Sequence, residues 1–106
     1  MSFDDSAAAR ELDLYAENTS ELYGQFKSII ANIKKKIAAG RYSPALAPKL
    51  WAYWYDAAAK RYAKEFGGDW SRMFPKSLRM QLAKERARDE HEKILNGEYG
   101  PVGSRH

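Results

Sequence analysis

Cysteine is absent from the 106 residues of this chain. Its absence excludes disulfide bonds, thiolate zinc sites, cysteine-ligated iron–sulfur clusters and cysteine nucleophiles, and it is typical of a reducing compartment. Long hydrophobic runs are absent too, since no apolar segment approaches the about 20 residues that a membrane-spanning helix needs. Residues 1–5 are acidic and do not have the basic-then-apolar order of a secretory signal. We therefore expect a cytoplasmic protein that has no membrane partner.

Histidine and the common catalytic motifs are equally scarce. The chain has two histidines, His91 and His106, and one helical turn from His91 stand Ala87 and Leu95, which cannot bind a metal. There is no GxxxxGK(S/T), GxGxxG or HExxH motif, and no feature of the pattern marks a carboxylate as buried. We expect no catalytic residues, no metal site and no cofactor, and we predict that the protein is not an enzyme.

Aromatic residues, by contrast, are abundant, with three Trp, seven Tyr and four Phe. Two of the tryptophans and three of the tyrosines fall between Leu50 and Phe66. One face of this segment, at helical spacing, carries Trp51, Trp54, Tyr55, Ala58, Tyr62 and Phe66. We predict that this segment is the helix on which the others pack, with the aromatic face in the core. A ligand slot between the two tryptophans and Tyr55 is the alternative interpretation.

The remaining sequence predicts more helices and no strand. A second helix ending before Gly40 is marked by an apolar stripe, made of Leu22, Phe26, Ile29, Ile30, Ile33 and Ile37. Asn18 and Glu21 have the spacing of a capping box at the start of this helix. Pro75 suits the first position of the last helix, because its fixed φ is already helical.

These signals together predict an all-α fold, a compact bundle of about four helices. The predicted helices are residues 11–17, 19–39, 47–66 and 75–96. Residues 11–96 would form a single helical domain, preceded by a loose N-terminus over residues 1–10. Residues 97–106 are rich in glycine and are predicted to form a flexible C-terminal tail.

The charge of the chain is mildly basic, at +4 with a pI of about 9.3. This balance suits an acidic protein or a nucleic acid as partner and argues against a mimic of DNA. The side of the central helix opposite the tryptophans carries Lys49, Tyr53, Lys60 and Lys64. Because a tyrosine among cations suits a contact surface, we predict that these four residues bind a partner protein. A solvated face without a partner is the alternative reading.

A second basic group lies at the end of the second helix and consists of Lys34, Lys35, Lys36 and Arg41. These residues, with Lys60 and Lys64, are the basis of an alternative function as a nucleic-acid-binding module that contacts phosphates. Consecutive lysines point to different sides of a helix, so a merely solvated run is the other reading.

The last predicted helix has an isolated apolar pair. Leu78 and Leu82 lie on a different side from its main apolar stripe. If these two leucines were uncovered, a second copy of the chain could cover them. The pattern therefore permits a homo-oligomer formed through residues 75–96.

Several short segments resemble those of short, uncharacterised all-helical proteins encoded by bacteriophages and other bacterial mobile elements. The segments are Glu11–Tyr15, Glu21–Tyr23, Pro48–Trp51, Lys60–Gly67, and Trp70 with Met73 and Phe74. The resemblance implies a phage or mobile-element setting and no catalytic residues. It leads us to expect a small interaction protein whose partner is a host or phage protein.

Overall fold

The computed structural model describes residues 3–100 of the chain and the side chains of residues 7–100. Its five helices are α1 (Phe3–Asn18), α2 (Ser20–Ala38), α3 (Ala47–Phe66), α4 (Trp70–Met73) and α5 (Lys76–Leu95). No strand occurs between residues 3 and 100, so the prediction of an all-α bundle is confirmed. Within the same residues, no helix combines the length and the apolar character needed to cross a membrane.

Helix α3 is the centre of the bundle and contacts each of the other four helices. It has Pro48 in its first turn, where the missing N–H costs nothing, and it ends at Gly67, whose φ of 88° favours glycine. Trp51, Trp54 and Tyr55 are 0%, 2% and 1% exposed. The predicted core face is therefore confirmed from Trp51 to Ala58, and the two tryptophans and Tyr55 pack together in the core, with no ligand slot between them. It is wrong at its C-terminal end, where Tyr62 is only half-buried and Phe66, the last residue of α3, is 61% exposed.

Helix α2 covers the tryptophans of α3. The ring centroid of Phe26 lies 5.4 Å from that of Trp51 and 5.6 Å from that of Trp54. The indole Nε1 of Trp54 donates a buried hydrogen bond of 2.7 Å to the carbonyl oxygen of Leu22. Ile30 and Ile33, also on this face of α2, are buried in the same core. The apolar stripe of α2 thus covers the aromatic face of α3, the helix on which the others were predicted to pack.

Helix α1 begins at Phe3, whereas the sequence predicted a loose N-terminus over residues 1–10 and a helix from residue 11. The first two residues lie outside the described part. The polar start was misread because three alanines, which have the highest helix propensity, follow it. Ala8 and Ala9 also pack against the core, so tertiary contacts add to that propensity.

The predicted capping box at the start of α2 is wrong. Thr19 is the N-cap residue and makes no side-chain cap there; its hydroxyl donates a 2.6 Å hydrogen bond back to the carbonyl of Tyr15. The Asn18 side-chain amide likewise donates to the carbonyl of Leu14, at 2.9 Å. Both side chains therefore complete the end of α1, where free carbonyls need donors. Glu21 forms an ion pair with Arg61 of α3 instead.

Helix α5 packs on α3. Leu78 and Leu82 are buried in the bundle core, so the apolar patch that suggested self-association through residues 75–96 is covered within the chain itself. Pro75 is the N-cap of α5, one position before its predicted place. A homo-oligomer through α5 stays a prediction without that patch to support it.

Residues 97–100 form turns after α5. Tyr99 packs against the core, and its hydroxyl donates a hydrogen bond to the carboxylate of Glu90. The ammonium group of Lys34 donates to the carbonyl oxygen of Tyr99 at 2.7 Å. The prediction of a flexible tail over residues 97–106 did not anticipate this attachment, and its last six residues, 101–106, lie outside the described part.

Candidate functional site

The predicted partner-binding residues lie along one side of α3. Tyr53 is 72% exposed, the highest value among the large hydrophobic side chains of residues 7–100. Lys49, Lys60 and Lys64 are exposed on the same side. Trp51, Trp54 and Ala58 on the opposite face of α3 are buried, so the helix that presents these four side chains is anchored in the core. We refer to Lys49, Tyr53, Lys60 and Lys64 as the lysine–tyrosine row.

The cations of the lysine–tyrosine row have no carboxylate within ion-pair distance among the described residues. Asp56, which lies on the same side of α3, pairs instead with Arg79 of α5. The Nε of Arg79 also donates a 2.8 Å hydrogen bond to the carbonyl of Phe74, which fixes its position. The positive charge of the row is therefore not neutralised within residues 7–100.

Trp70 of α4 supports one end of the row. The ammonium of Lys60 lies 5.0 Å from the centroid of the Trp70 ring, and the guanidinium carbon of Arg79 lies 4.5 Å from it. Both are cation–π distances, so the indole holds the two cations in place. Lys60 thus keeps its charge at the surface in a defined position, while Lys49 and Lys64 are free to extend into solvent.

A groove of about 570 Å³ lies beside Tyr53, between α2 and α3. Its lining residues are Glu21, Gly24, Gln25, Ser28, Ile29, Leu50, Tyr53 and Trp54. Ile29 and Leu50 are half-buried and form apolar walls. Gly24 lies within α2, and a Cβ atom added to it would meet nothing within 4 Å. We call this feature the α2–α3 groove.

The second predicted group, Lys34, Lys35, Lys36 and Arg41, is not brought together into one surface. Lys34 turns towards Tyr99, whose carbonyl it contacts. Lys35 is exposed and Lys36 half-buried, as expected for consecutive residues on different sides of a helix. Arg41 is close to Lys36, because its backbone N–H donates a 2.8 Å hydrogen bond to the Lys36 carbonyl. Lys35, Lys36 and Arg41 are therefore the cations of this group that remain for a ligand.

Sequence reasoning missed a buried polar network around Arg86 of α5. Its guanidinium donates to Asp13 at 2.9 Å, to Glu17 at 2.7 Å, to the Tyr55 hydroxyl at 3.0 Å and to Glu90 at 3.1 Å. The Tyr55 hydroxyl in turn donates to Asp13. The side chains of Arg86 and Glu90 are only 12% and 2% exposed. The network thus joins α1, α3 and α5 in the interior.

The electrostatics of the network follow from this burial. Burial raises the pKa of Tyr55, and the hydrogen bond to Asp13 raises it further, although the nearby Arg86 acts in the opposite direction. Burial alone would lower the pKa of Arg86, but its acceptors outweigh that effect, and the pKa is raised. Tyr55 is therefore a neutral hydrogen-bond donor and Arg86 a permanent cation at neutral pH.

A cleft of about 400 Å³ opens from this network towards solvent. Most of its lining side chains are carboxylates, from Asp13, Glu17, Glu85, Asp89, Glu90, Glu92 and Glu98. Arg86 neutralises three of them, and Lys93 lies 3.9 Å from Glu90. Within residues 7–100, no group of three or more such side chains is arranged to hold a metal ion. The cleft is an acidic surface beside a structural network.

Only part of the network had a signal in the sequence. Arg86 and Glu90 are four residues apart on a helix, a spacing that favours an ion pair. The contacts of Arg86 with Tyr55 and Asp13 span 31 and 73 residues, and no local pattern reveals contacts of that range.

No protein-family model, no curated protein and no solved structure matches this chain.

Proposed function

We propose that this chain is a small, non-enzymatic interaction protein that binds another protein through the lysine–tyrosine row. The observation that carries the proposal is Tyr53, a large aromatic side chain that is 72% exposed on α3, the helix that contacts the other four. Tyrosine is enriched in protein interfaces, where it contributes a large contact area at a small entropic cost. The phage or mobile-element setting of that partner is the part of the proposal that comes from the sequence resemblance.

The charges around Tyr53 indicate what the partner offers. Lys49, Lys60 and Lys64 have no internal carboxylate among the described residues, so an acidic protein surface would complement them. Such charges mainly accelerate association and select the partner, while the desolvated tyrosine contributes most of the affinity. The proposed partner is therefore a host or phage protein with an acidic contact surface.

The test is capture of a partner by three versions of the full chain from a bacterial lysate: wild type, Tyr53→Ala and Tyr23→Ala. Tyr23 is a suitable control because it is 49% exposed but lies on α2, away from the row. We expect wild type and Tyr23→Ala to retain the same stoichiometric partner and Tyr53→Ala to lose it. Equal capture by all three versions, or no stoichiometric partner for any, would contradict the proposal.

A second candidate function is nucleic-acid binding by Lys35, Lys36 and Arg41, which lie near one another along the backbone at the end of α2. Each phosphate contact contributes about 0.9 to the slope of log affinity against log salt concentration. A gel shift at low salt, with duplex and single-stranded probes, tests it. Binding that weakens steeply with salt and is reduced by Arg41→Ala would support this function, whereas no shift with either probe would remove it.

A further inference from the structure

Gly24 has no role that the isolated chain explains. It lies within α2, with a helical backbone and no positive φ, so its conformation does not require glycine. No atom approaches the position of a Cβ within 4 Å, so packing inside the chain does not require it either. A glycine inside a helix costs about 1 kcal/mol relative to alanine. One physical use of a missing side chain at such a position is a close approach by something outside the chain.

The α2–α3 groove gives that approach a definite shape. Gly24 and Ser28 are small residues of α2, and Ile29, Leu50 and the exposed Tyr53 ring provide apolar surface around them. The walls are side chains of two neighbouring helices whose backbone groups are already hydrogen-bonded within each helix. The groove therefore offers apolar contact and little backbone pairing to its occupant.

This lack of free backbone groups decides the conformation of the occupant. An extended peptide would bring unpaired N–H and C=O groups against apolar walls, where each unsatisfied group is costly. A helix satisfies its own backbone and presents apolar side chains at i, i+3, i+4 and i+7. A helix also makes the closest use of the space left at Gly24, because its ridge can pack directly on the α2 backbone.

Two lysines near the groove indicate the charge of its occupant. Lys36 lies two turns beyond Ile29 on α2, and Lys49 lies one turn before Tyr53 on α3. Neither lysine forms an ion pair with another described residue. The one carboxylate of the lining, Glu21, is neutralised by Arg61. A helix with carboxylates on its flanks complements these two lysines, whereas a second copy meeting this one with the two grooves parallel would place lysine against lysine.

From this geometry we infer that the α2–α3 groove binds an acidic amphipathic helix of a partner protein, with an apolar ridge packed over Gly24 and carboxylates against Lys36 and Lys49. This inference rests on the proposed function, because Tyr53 belongs to both the groove and the lysine–tyrosine row. It adds the secondary structure and the charge of the segment that is bound.

The test is selection from a displayed library of random peptides about 20 residues long, long enough to form a helix in isolation. The target is the full wild-type chain. We expect enriched peptides with apolar residues at helical spacing and acidic flanks, and binding that Gly24→Leu weakens about tenfold or more. Because no atom lies within 4 Å of the position of a Cβ at Gly24, the new side chain has room to enter the groove. Ser77→Leu, at an exposed position of α5 away from the groove, is the control and should leave affinity within about twofold.

Four other outcomes would overturn the inference. These are the absence of enriched peptides, enrichment of extended or proline-rich sequences, enrichment of basic helices, and equal binding to wild type and Gly24→Leu. A dimer of the chain alone that Gly24→Leu dissociates would assign the groove to a second copy instead. If a natural partner is lost with Tyr53→Ala but kept with Gly24→Leu, the groove inference fails while the proposed function stands.

Discussion

At Arg86 three helices share one guanidinium group. Its acceptors come from α1, from α3 and from α5 itself, and its carbon atom lies 5.3 Å from the ring centroid of Trp54. A buried charge of this kind is tolerated because its hydrogen bonds are satisfied. Removing Arg86 would be costly mainly because its carboxylate partners, above all the buried Glu90, would be left without a cation.

We predict that Arg86→Met destabilises the fold by about 3 kcal/mol, because the carboxylate of Glu90, almost fully buried, would lose its cation. Urea unfolding of the full chain measures this loss. Arg88→Met is the matched control, since Arg88 is exposed and its nearest carboxylate, that of Asp89, is 3.7 Å away. A change within about 0.5 kcal/mol is expected for the control. Similar values for both variants would show that the network is not buried as described.

Tyr55 gives the fold a pH dependence at the alkaline end. Its pKa is raised chiefly by burial, so the folded state holds the phenol proton more tightly than the unfolded chain, whose pKa is about 10. The stabilisation is complete below about pH 10 and is lost as pH rises above it. Tyr55→Phe has no proton to lose, so we predict that its unfolding free energy falls less than that of wild type between about pH 8 and pH 11.

Urea unfolding of both proteins across this pH range is the measurement. The tyrosines Tyr15, Tyr42, Tyr62 and Tyr99 also have raised pKa values, and they act with the same sign in both proteins. The difference between the two curves therefore reports Tyr55. Parallel curves would mean that the Tyr55 hydroxyl is not buried in the folded state.

At the scale of the helices, alanine substitution should distinguish a glycine with ordinary helical backbone from a glycine with a positive φ. Gly24 has ordinary helical backbone and open space around its Cα, so Gly24→Ala should stabilise the fold by about 0.5 to 1 kcal/mol. Gly40 has a φ of 70° after α2, so Gly40→Ala should destabilise it by about 1 kcal/mol. Thermal or urea unfolding gives both values. A loss of stability with Gly24→Ala would mean that the glycine has a structural role within the chain.

The sequence was most informative where a helix carries its own boundaries. Proline near Ala47 and glycine after Phe66 marked α3 to the residue, and the period of its aromatic residues identified the buried face. The start of α1 was missed because its packing of Ala8 and Ala9 depends on other helices. Tyr99 was missed for the same reason, since its attachment to Lys34 spans 65 residues.

The candidate site was predictable only in part. Tyr53 and the lysines of the row follow from helical geometry once the opposite face is known to be buried. The groove beside Tyr53 does not, because its far wall is α2, and the angle and distance between two helices are set by side chains of both. For the basic run at residues 34–36, neighbours in sequence did not form one site. The helix points consecutive lysines to different sides, and Lys34 binds the carbonyl oxygen of Tyr99.

On the scale of the whole molecule, charge of opposite sign is separated. Carboxylates line the cleft beside Arg86, whereas α3 carries lysines that have no carboxylate partner among the described residues.

We predict that the double variant Lys49→Glu/Lys64→Glu changes the unfolding free energy by no more than about 0.5 kcal/mol per substitution, because both side chains are exposed. The same pair of changes should slow partner association, measured by surface plasmon resonance at low salt. Unchanged association kinetics would remove the row from the interface.

Hydroxyl-radical footprinting of the full chain, with oxidation read residue by residue by mass spectrometry, tests the arrangement on which both proposals depend. Indole rings react readily with the radical, so protection of a tryptophan reports burial directly. We predict rapid oxidation of Tyr53, with Trp51, Trp54 and Tyr55 strongly protected. Rapid oxidation of either of these two tryptophans, or protection of Tyr53 equal to that of Tyr55, would contradict the account.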